Sequence, residues 1–412
     1  MKNKIYCFLV LFIIVFLTMN YFPQIMYAEG MNRIQESEDF EVISNLKTPE
    51  LKLRIVFKEE LSIGEIEGDE NYMFGMRVYF NVDDEGNIYV TDWDRKRIQK
   101  YNPQGKYIQA IGRKGQGPGE FQNVWVPRFD KDSNMYVTDI AGHRISFFDK
   151  EGKFLKQIMI PSISSSLYIN SKGYFITTKS LHIEEKDGEK FVSVFGFYDD
   201  KFNIIKEIHR SIWEPKNPTG RDEKSMAQFL ANIMSDMAFR PNISYFLTDD
   251  GLLYFGYPEK YEICIFSSEG KIIKTIRREY DPIRISKKHK NNFVKSMEDD
   301  FLRLSPYPEG IKKQASQLIK YPKFKPAYQD FTLMDNGWLL VIIDSSEKDS
   351  KLVDIFDQYG KYIAQFTTSV STNRLIFKNG KAYALAIEND YRFVKRYNYE
   401  IQEYKNNRWV KR

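Results

Sequence analysis

Short runs in which apolar and polar residues alternate recur along most of the chain, with turn-forming residues between them. Three such runs follow one another closely at residues 87–91, 97–101 and 106–111, and a shorter one precedes them at 77–82. A period of two predicts β-strands with one buried face, and the intervening glycine, asparagine and aspartate residues favour tight turns. This stretch therefore predicts a unit of four strands joined by short connections.

The four-strand unit is repeated in the next part of the chain. Ten residues recur without a gap at an offset of 47 positions, and the two sets are Asp83, Asn87, Tyr89, Val90, Thr91, Asp92, Arg97, Ile98, Gly105, Lys106 and Asp130, Asn134, Tyr136, Val137, Thr138, Asp139, Arg144, Ile145, Gly152, Lys153. Agreement of this extent at one offset indicates a structural repeat.

Fainter copies of the unit continue towards the C-terminus. The turn before the last strand, Phe148-Asp149 with Gly152-Lys153, recurs at 198–203, 266–271 and 356–361, and second strands are predicted at 174–178, 252–256, 338–343 and 381–386. These copies bring the count to six units. The sixth unit lacks an outer strand, whereas Leu51–Phe57 is a spare strand upstream of the first unit. Pairing the two would close a ring and leave no free radial edge. We predict an all-β fold: a six-bladed β-propeller over residues 51–412, with four-stranded blades and closure by the N-terminal strand.

The best-preserved units also resemble a known repeat. Gly86-Asn87-Ile88-Tyr89-Val90-Thr91-Asp92, then Arg97-Ile98 and Gly105-Lys106, joined to the next unit by Gly112-x-x-Gly115-x-Gly117-Pro118-Gly119-Glu120-Phe121, are similar to the NHL repeat over residues 83–160. The chain resembles secreted bacterial six-bladed propellers of that group. This resemblance implies a scaffold that binds ligands or partners at one end of the ring, and it implies no reaction.

Two stretches, at about 209–244 and 277–329, break the repeat. Apolar residues fall at helical spacing in both, as in Met226, Phe229, Leu230 and Ile233, and then in Phe293, Val294, Met297 and Phe301. This spacing predicts amphipathic helices. Both stretches link an outer strand to the next inner strand, so both should emerge on one face of the propeller. They are interpreted either as a packed decoration or as a cap that shapes a pocket over the channel mouth.

The N-terminal residues bear on the compartment. Lys2 and Lys4 precede an apolar run, and Ala28 suits a cleavage site, so residues 1–28 are predicted to be a signal peptide or an uncleaved membrane anchor, with a buried helix as a third reading. Residues 29–50 are treated as a linker. Beyond this segment Cys264 is the only cysteine, which excludes an intrachain disulfide there. We expect an exported protein that is periplasmic, extracellular or at the cell surface.

Composition and charge exclude two classes of protein. Of 412 residues, 42% are hydrophobic and 28% are charged, which is too apolar for a disordered chain. The net charge of +5 is too small for a nucleic-acid-binding protein of this size, so no nucleic-acid partner is expected.

Motifs of catalysis and metal binding are missing from the sequence. The four histidines are scattered, and no Gly-x-Ser-x-Gly, Cys-x-x-Cys or His-Glu-x-x-His pattern occurs. The glycine-rich stretch 112–119 lacks the Lys-Ser/Thr ending of a phosphate loop. Asp92 and Asp139 are expected to accept hydrogen bonds from backbone in the turns after them, and Arg97 and Arg144 to be structural. We therefore predict no catalytic residue, no metal and no cofactor.

Two classes of function remain for such a chain. The first is a non-enzymatic exported scaffold that binds a ligand or protein partner at the insertion-bearing face, with Trp93, Arg95, Arg128 and His143 as candidate ligand-binding residues. An aromatic ring and cationic groups there would suit a sugar or an acidic ligand. The alternative is a propeller hydrolase or lyase with an active site at the channel mouth. The partner is expected to be a protein, a small molecule or a glycan, with membrane contact only through an uncleaved N-terminal anchor.

Overall fold

Six β-sheets form the body of the protein: four of them have four antiparallel strands, and two have five strands. The computed structural model describes residues 40–412 except 131, 164–166, 186–187, 215–217, 219, 221, 304, 345–349 and 373. In chain order the sheets are the blades of a six-bladed β-propeller, and in blades 1 to 5 four consecutive strands follow one another from the inner to the outer edge. The predicted fold class is confirmed.

The strand bounds are as follows. Two strands precede the first blade: β1 (Glu41–Asn45) and β2 (Leu53–Ile63). Blade 1 contains β3 (Val78–Val82), β4 (Ile88–Asp92), β5 (Arg97–Tyr101) and β6 (Tyr107–Ile111). Blade 2 contains β7 (Arg128–Phe129), β8 (Met135–Asp139), β9 (Arg144–Phe148) and β10 (Phe154–Met159). Blade 3 contains β11 (Tyr168–Ile169), β12 (Phe175–Glu185), β13 (Gly188–Tyr198) and β14 (Ile204–Trp213). Blade 4 contains β15 (Ser244–Leu247), β16 (Leu253–Gly256), β17 (Glu262–Phe266) and β18 (Ile272–Arg278). Blade 5 contains β19 (Asp330–Leu333), β20 (Leu339–Asp344), β21 (Lys351–Phe356) and β22 (Tyr362–Thr368). Blade 6 contains β23 (Ile376–Lys378), β24 (Lys381–Glu388), β25 (Tyr391–Lys405) and β26 (Arg408–Lys411).

The ring is closed by the strand that precedes the first blade. β2 pairs antiparallel with β25 and forms the outer strand of blade 6, as the sequence predicts. The pairing runs from Leu53 opposite Glu403 to Ile63 opposite Val394. Leu53 and Ile55 are buried in a hydrophobic cluster with side chains of blades 5 and 6. The first and last parts of the chain therefore share one blade.

Part of the segment 29–50, treated above as a linker, is a strand. β1 pairs in parallel with β18, the outer strand of blade 4. The Asn45 amide donates to the carbonyl oxygens of Arg277 and Gly360, and its oxygen accepts from the Tyr362 N–H at 2.8 Å. Asn45 thus joins blade 4 to blade 5. The partners lie more than 230 residues away, so no local pattern of the sequence could show this pairing.

The insertions contain the helices α1 (Glu223–Met237), α2 (Lys287–Met297) and α3 (Glu309–Leu318), with a π-helical turn at Glu298–Leu302. The first insertion begins later than predicted, because β14 extends to Trp213. Side chains from all three helices form one hydrophobic cluster together with Phe191 and Trp213. Phe191 lies near the start of a third strand and Trp213 at the end of a fourth. Both insertions therefore lie on the face where second strands turn into third strands.

The described residues include no helix both long and apolar enough to cross a bilayer. The signal peptide or anchor predicted for residues 1–28 lies outside the described residues.

Replacement of Leu53 by alanine should weaken ring closure. Leu53 is 1% exposed, and loss of a buried leucine side chain costs about 2–5 kcal/mol of unfolding free energy. Lys58→Gln, at an exposed position of the same strand, is the matched control and should change stability by less than about 0.5 kcal/mol. Urea unfolding of the two variants measures the difference. Equal midpoints would contradict a stabilising role for β2.

Candidate functional site

Six polar side chains, one from each blade, meet at one mouth of the central channel. They are Tyr79, Arg128, Tyr168, Ser244, Asp330 and Arg374. Each lies at or next to the start of an inner strand. Because every inner strand is entered from the face that carries the insertions, these starts meet at a single end of the channel. We call this set the channel-mouth ring.

The two arginines of the ring are held in place by neighbouring groups. The Arg128 guanidinium lies 3.7 Å from the centre of the Tyr168 ring, and its Nε is buried without a hydrogen-bond partner among the described residues. Arg374 Nε donates to the Phe80 carbonyl oxygen at 2.6 Å, which connects blade 6 to blade 1. Burial, and then the positive charge of Arg128, lowers the pKa of Arg374 to about 9. The two guanidinium groups are thus near enough to repel each other.

Asp330 and Ser244 provide the remaining polar groups of the ring. Asp330 is an exposed residue, yet the protein around its carboxyl group partly desolvates it, and this desolvation raises its pKa. Ser244 and Arg374 act in the opposite direction on this pKa, but more weakly. Asp330 Oδ1 also accepts from the N–H of Phe331 at 2.9 Å. Within the described part of the chain, no carboxylate is within salt-bridge distance of Arg128 or Arg374.

The ring is polarised around the channel. Blades 6, 1 and 2 carry Arg374, Tyr79 and Arg128, whereas blades 4 and 5 carry Ser244 and Asp330. A guanidinium with free N–H groups binds carboxylate or phosphate oxygens, and a carboxylate accepts hydrogen bonds from hydroxyl groups. The arrangement can therefore hold an anionic group on one side and hydroxyl groups on the other.

Of the four residues singled out from the sequence, Arg128 lies in the ring. Trp93 lies between two cations, with the Arg77 guanidinium 3.2 Å and Lys96 Nζ 3.3 Å from its ring. At these distances the cations must occupy opposite faces of the indole, so neither face is open for stacking. Burial lowers the pKa of Lys96 to about 8.

Arg95 and His143 lie in turns on the same face of the propeller. Arg95 donates to Asp92 at 2.7 Å and to the Met73 carbonyl oxygen at 2.6 Å, so its guanidinium stabilises the local turn. His143 is exposed and has a left-handed backbone conformation with φ of 48°. The structure gives neither residue a contact with the channel-mouth ring.

The recurring aspartates and arginines act on the backbone, as expected from the sequence. Asp92 accepts from the N–H of Arg95, and Asp139 accepts from the N–H groups of Gln122, Asn123 and Gly142. Arg144 donates to the carbonyl oxygens of Gln116 and Glu120 at 2.6 and 2.7 Å. The glycine-rich stretch 112–119 is therefore clamped by a residue of the following blade.

The other five members of the ring were missed by sequence reasoning. Asp330 and Arg374 lie at or just before the starts of blades 5 and 6, where the repeat is faint. Tyr79 and Tyr168 are both tyrosines, but Ser244 and the other three members differ, so no single residue type marks the position. The signal that could have found them is positional: the first residues of all six inner strands belong together once a propeller is assumed.

A second cleft, of about 370 Å³, opens between blades 1 and 2 on the opposite face. Its wall mixes acidic and basic side chains, among them Asp83, Glu85, Lys100 and Lys150. Lys100 Nζ already donates to the Lys150 carbonyl oxygen at 2.8 Å. We favour the channel mouth as the candidate site because of Arg128. Among the described residues, Arg97, Arg128, Arg144 and Arg278 each have a buried Nε without a partner. The guanidinium groups of the other three make hydrogen bonds through their terminal nitrogens, whereas no hydrogen bond to a described residue is found for Arg128.

Among the described residues, no group of three or more histidine, cysteine, aspartate or glutamate side chains is arranged to hold a metal ion. His209 is instead buried between blades 3 and 4, with its ring 4.5 Å from that of Tyr257. Desolvation lowers its pKa from 6.5 to about 4. His209 is therefore a buried and neutral side chain near the insertion-bearing face.

His209 should make stability depend on pH. Between pH 6.5 and about 4 the unfolded chain binds a proton at this residue and the folded chain does not, so stability falls as the pH falls through this range. The loss should be on the order of 3 kcal/mol at pH 4. His209→Gln should remove that part of the pH dependence, whereas His143→Gln, at an exposed position, should leave it intact. Urea midpoints at pH 7 and 4.5 test this, and identical profiles for all three proteins would refute it.

The fold and the ring at its channel mouth define the chain as a six-bladed β-propeller with a polar channel mouth. The profile of the DUF5128 family, described as a 6-bladed beta-propeller, matches residues 80–262. No curated protein matches the sequence.

The chain is similar to several solved structures. A Bacteroides fragilis protein described as a candidate exported protein has 11% sequence identity and a TM-score of 0.50, over 88% of this chain and 100% of that one. A duf4221 family member from Bacteroides vulgatus has 10% identity and a TM-score of 0.48, over 86% and 99%. Virginiamycin B lyase from Staphylococcus aureus has 12% identity and a TM-score of 0.41, over 84% and 99%. At these identities the similarity concerns the fold alone.

Proposed function

We propose that this protein is an exported, non-enzymatic β-propeller of the NHL-repeat type that binds a ligand at its channel mouth, on the insertion-bearing face. Arg128 contacts the ligand together with the other members of the channel-mouth ring. Trp93, Arg95 and His143 belong to the surrounding turns on that face, where they shape the rim of the site. No metal or cofactor takes part.

The observation that carries this proposal is the state of Arg128. Its Nε is buried and has no hydrogen-bond partner among the described residues. Leaving a buried donor without a partner costs about 1–3 kcal/mol, and more for a charged group. The guanidinium is also fixed against Tyr168 and faces a channel that other polar side chains line. A bound ligand that accepts from Arg128 would satisfy this donor.

Export is supported by three observations. The N-terminal pattern of two lysines, an apolar run and Ala28 is typical of a signal sequence. The described part of the chain has one cysteine, Cys264, which is free and buried, so the fold needs no disulfide in an oxidising compartment. The structurally similar Bacteroides fragilis protein is itself described as a candidate exported protein.

Binding should depend on Arg128 and not on arginines far from the channel mouth. We expect a metabolite and glycan library to contain compounds that raise the melting temperature of the purified protein, because a ligand of the folded state stabilises it by mass action. Arg128→Gln should lower the affinity for such a compound by at least tenfold, since hydrogen bonds to charged groups contribute about 1.5–3 kcal/mol. Arg408→Gln, at an exposed position on β26, which pairs with the end of β25, should leave the affinity unchanged.

Three results would count against this proposal. Equal affinities for the wild type and Arg128→Gln would place the ligand elsewhere. Equal losses with Arg128→Gln and Arg408→Gln would indicate nonspecific charge attraction. Conversion of the compound during incubation, seen by mass spectrometry, would favour the hydrolase or lyase alternative. Arg95→Gln shows in the same assay whether the rim takes part.

A further inference from the structure

The two arginines of the channel-mouth ring are suited to one planar anionic group. They come from blades 2 and 6, which flank blade 1, so they approach the channel from the two sides of Tyr79. Arg374 uses Nε for the Phe80 carbonyl oxygen, and Arg128 rests on the Tyr168 ring. These contacts orient the guanidinium groups, and the described residues offer no hydrogen-bond partner to their terminal nitrogens. Terminal N–H groups in this position bind carboxylates or phosphates in a bidentate manner.

Asp330 restricts which anion can bind. Its blade adjoins that of Arg374, and it faces the blade of Arg128 across the ring. A carboxylate there repels a second negative charge, so a compact multivalent anion such as phosphate meets attraction on one side and repulsion on the other. The same carboxylate accepts hydrogen bonds from hydroxyl groups, and Ser244 next to it can donate or accept.

Two tyrosines complete the ring: Tyr79 is half-buried, and Tyr168 is 8% exposed with the Arg128 guanidinium over its ring. Tyr168 and Tyr79 add aromatic and hydroxyl groups at the starts of two inner strands, and the Tyr79 ring is stacked 5.6 Å from that of Trp125. Sugars present apolar C–H faces as well as hydroxyl groups, so aromatic side chains beside hydrogen-bonding groups suit them. A ligand that matches all parts of the ring therefore has one carboxylate, several hydroxyl groups and a sugar-like body.

We propose that the channel-mouth ring binds a carboxylated sugar of the uronic acid class. The sugar carboxylate lies between Arg128 and Arg374, and hydroxyl groups on the other side of the sugar donate to Asp330. This inference rests on the proposed function, because it names the ligand class of the same site.

Galacturonate and glucuronate, as monosaccharides and as short oligosaccharides, are the probes for this assignment. Calorimetric titration should detect the uronates, whereas galactose, glucose and inorganic phosphate should bind at least tenfold more weakly. Arg374→Gln should abolish the preference for uronate over the neutral sugar, and Arg374→Lys should restore part of it, because lysine keeps the charge without the bidentate geometry.

Asp330→Asn separates the two halves of the site. The amide removes the negative charge but keeps the size, so uronate affinity should fall about tenfold while phosphate affinity rises. Asp249→Asn, at an exposed aspartate outside the ring, is the matched control and should change neither affinity. A merely structural role for Asp330 would lower both affinities together and would overturn the assignment.

The outcomes distinguish this inference from the proposed function. Phosphate binding without uronate binding, or Arg128-dependent binding of a neutral ligand alone, would overturn the uronate assignment and leave the binding function in place. If no compound binds in an Arg128-dependent manner, both fail. If uronates bind but Arg128→Gln and Arg374→Gln leave their affinity unchanged, the site is elsewhere and the assignment is wrong.

Discussion

The structure depends on the closure of its ring by β2. Blades pack face to face, so the first and last blades of an open array would each expose an apolar face, and an incomplete last blade would also expose strand hydrogen-bonding groups. β2 supplies the outer strand of blade 6, and β1 reinforces the outer edge of blade 4. Between them the chain follows blade 5, where the Leu51 N–H donates to the Ile363 carbonyl oxygen. One N-terminal segment thus secures three consecutive blades.

Ring closure also creates the candidate site. Arg374 and Phe80 are 294 residues apart in sequence, yet they share a hydrogen bond across the junction of blades 6 and 1. The channel-mouth ring has one member in each blade, so an opened ring would separate Arg374 from Arg128. Site geometry and global stability are therefore linked through the same closure, and a variant that weakens the closure can be expected to affect both.

The sequence revealed the fold through local turns. Asp149, Asp199 and Asp357 each accept a hydrogen bond from the N–H four residues later, and glycine at the fourth position of two of these turns has a positive φ. Such turns depend on a few adjacent residues, so they leave a pattern that repeats along the chain. The turn that begins at Asp199 has Phe202 at that position, with φ of 59°. The sequence pattern is therefore weaker in this turn, although the backbone conformation is the same.

Non-local features could not be predicted in the same way. β1 is held by residues far along the chain, and Asp330 becomes a site residue only because the inner strands converge on one channel. The spacing of methionines in the insertions was enough to predict apolar helix faces. It could not show which residues those faces pack against. Met226, Met234 and Met297 are buried within one cluster that the helices form with blade 3, so these side chains serve as a packing seam between the two insertions.

The position of Arg374 is difficult to explain by stability alone. It has a left-handed φ of 54°, which is costly for a residue other than glycine, and its guanidinium is partly desolvated beside Arg128. A buried charge without a counter-ion within salt-bridge distance destabilises a fold, and two like charges together add to the cost. An apolar side chain would remove both of these electrostatic costs and keep every strand pairing, at the loss of the single hydrogen bond to the Phe80 carbonyl oxygen. An arrangement that is unfavourable for folding and favourable for an anion points to binding as the reason for these two arginines.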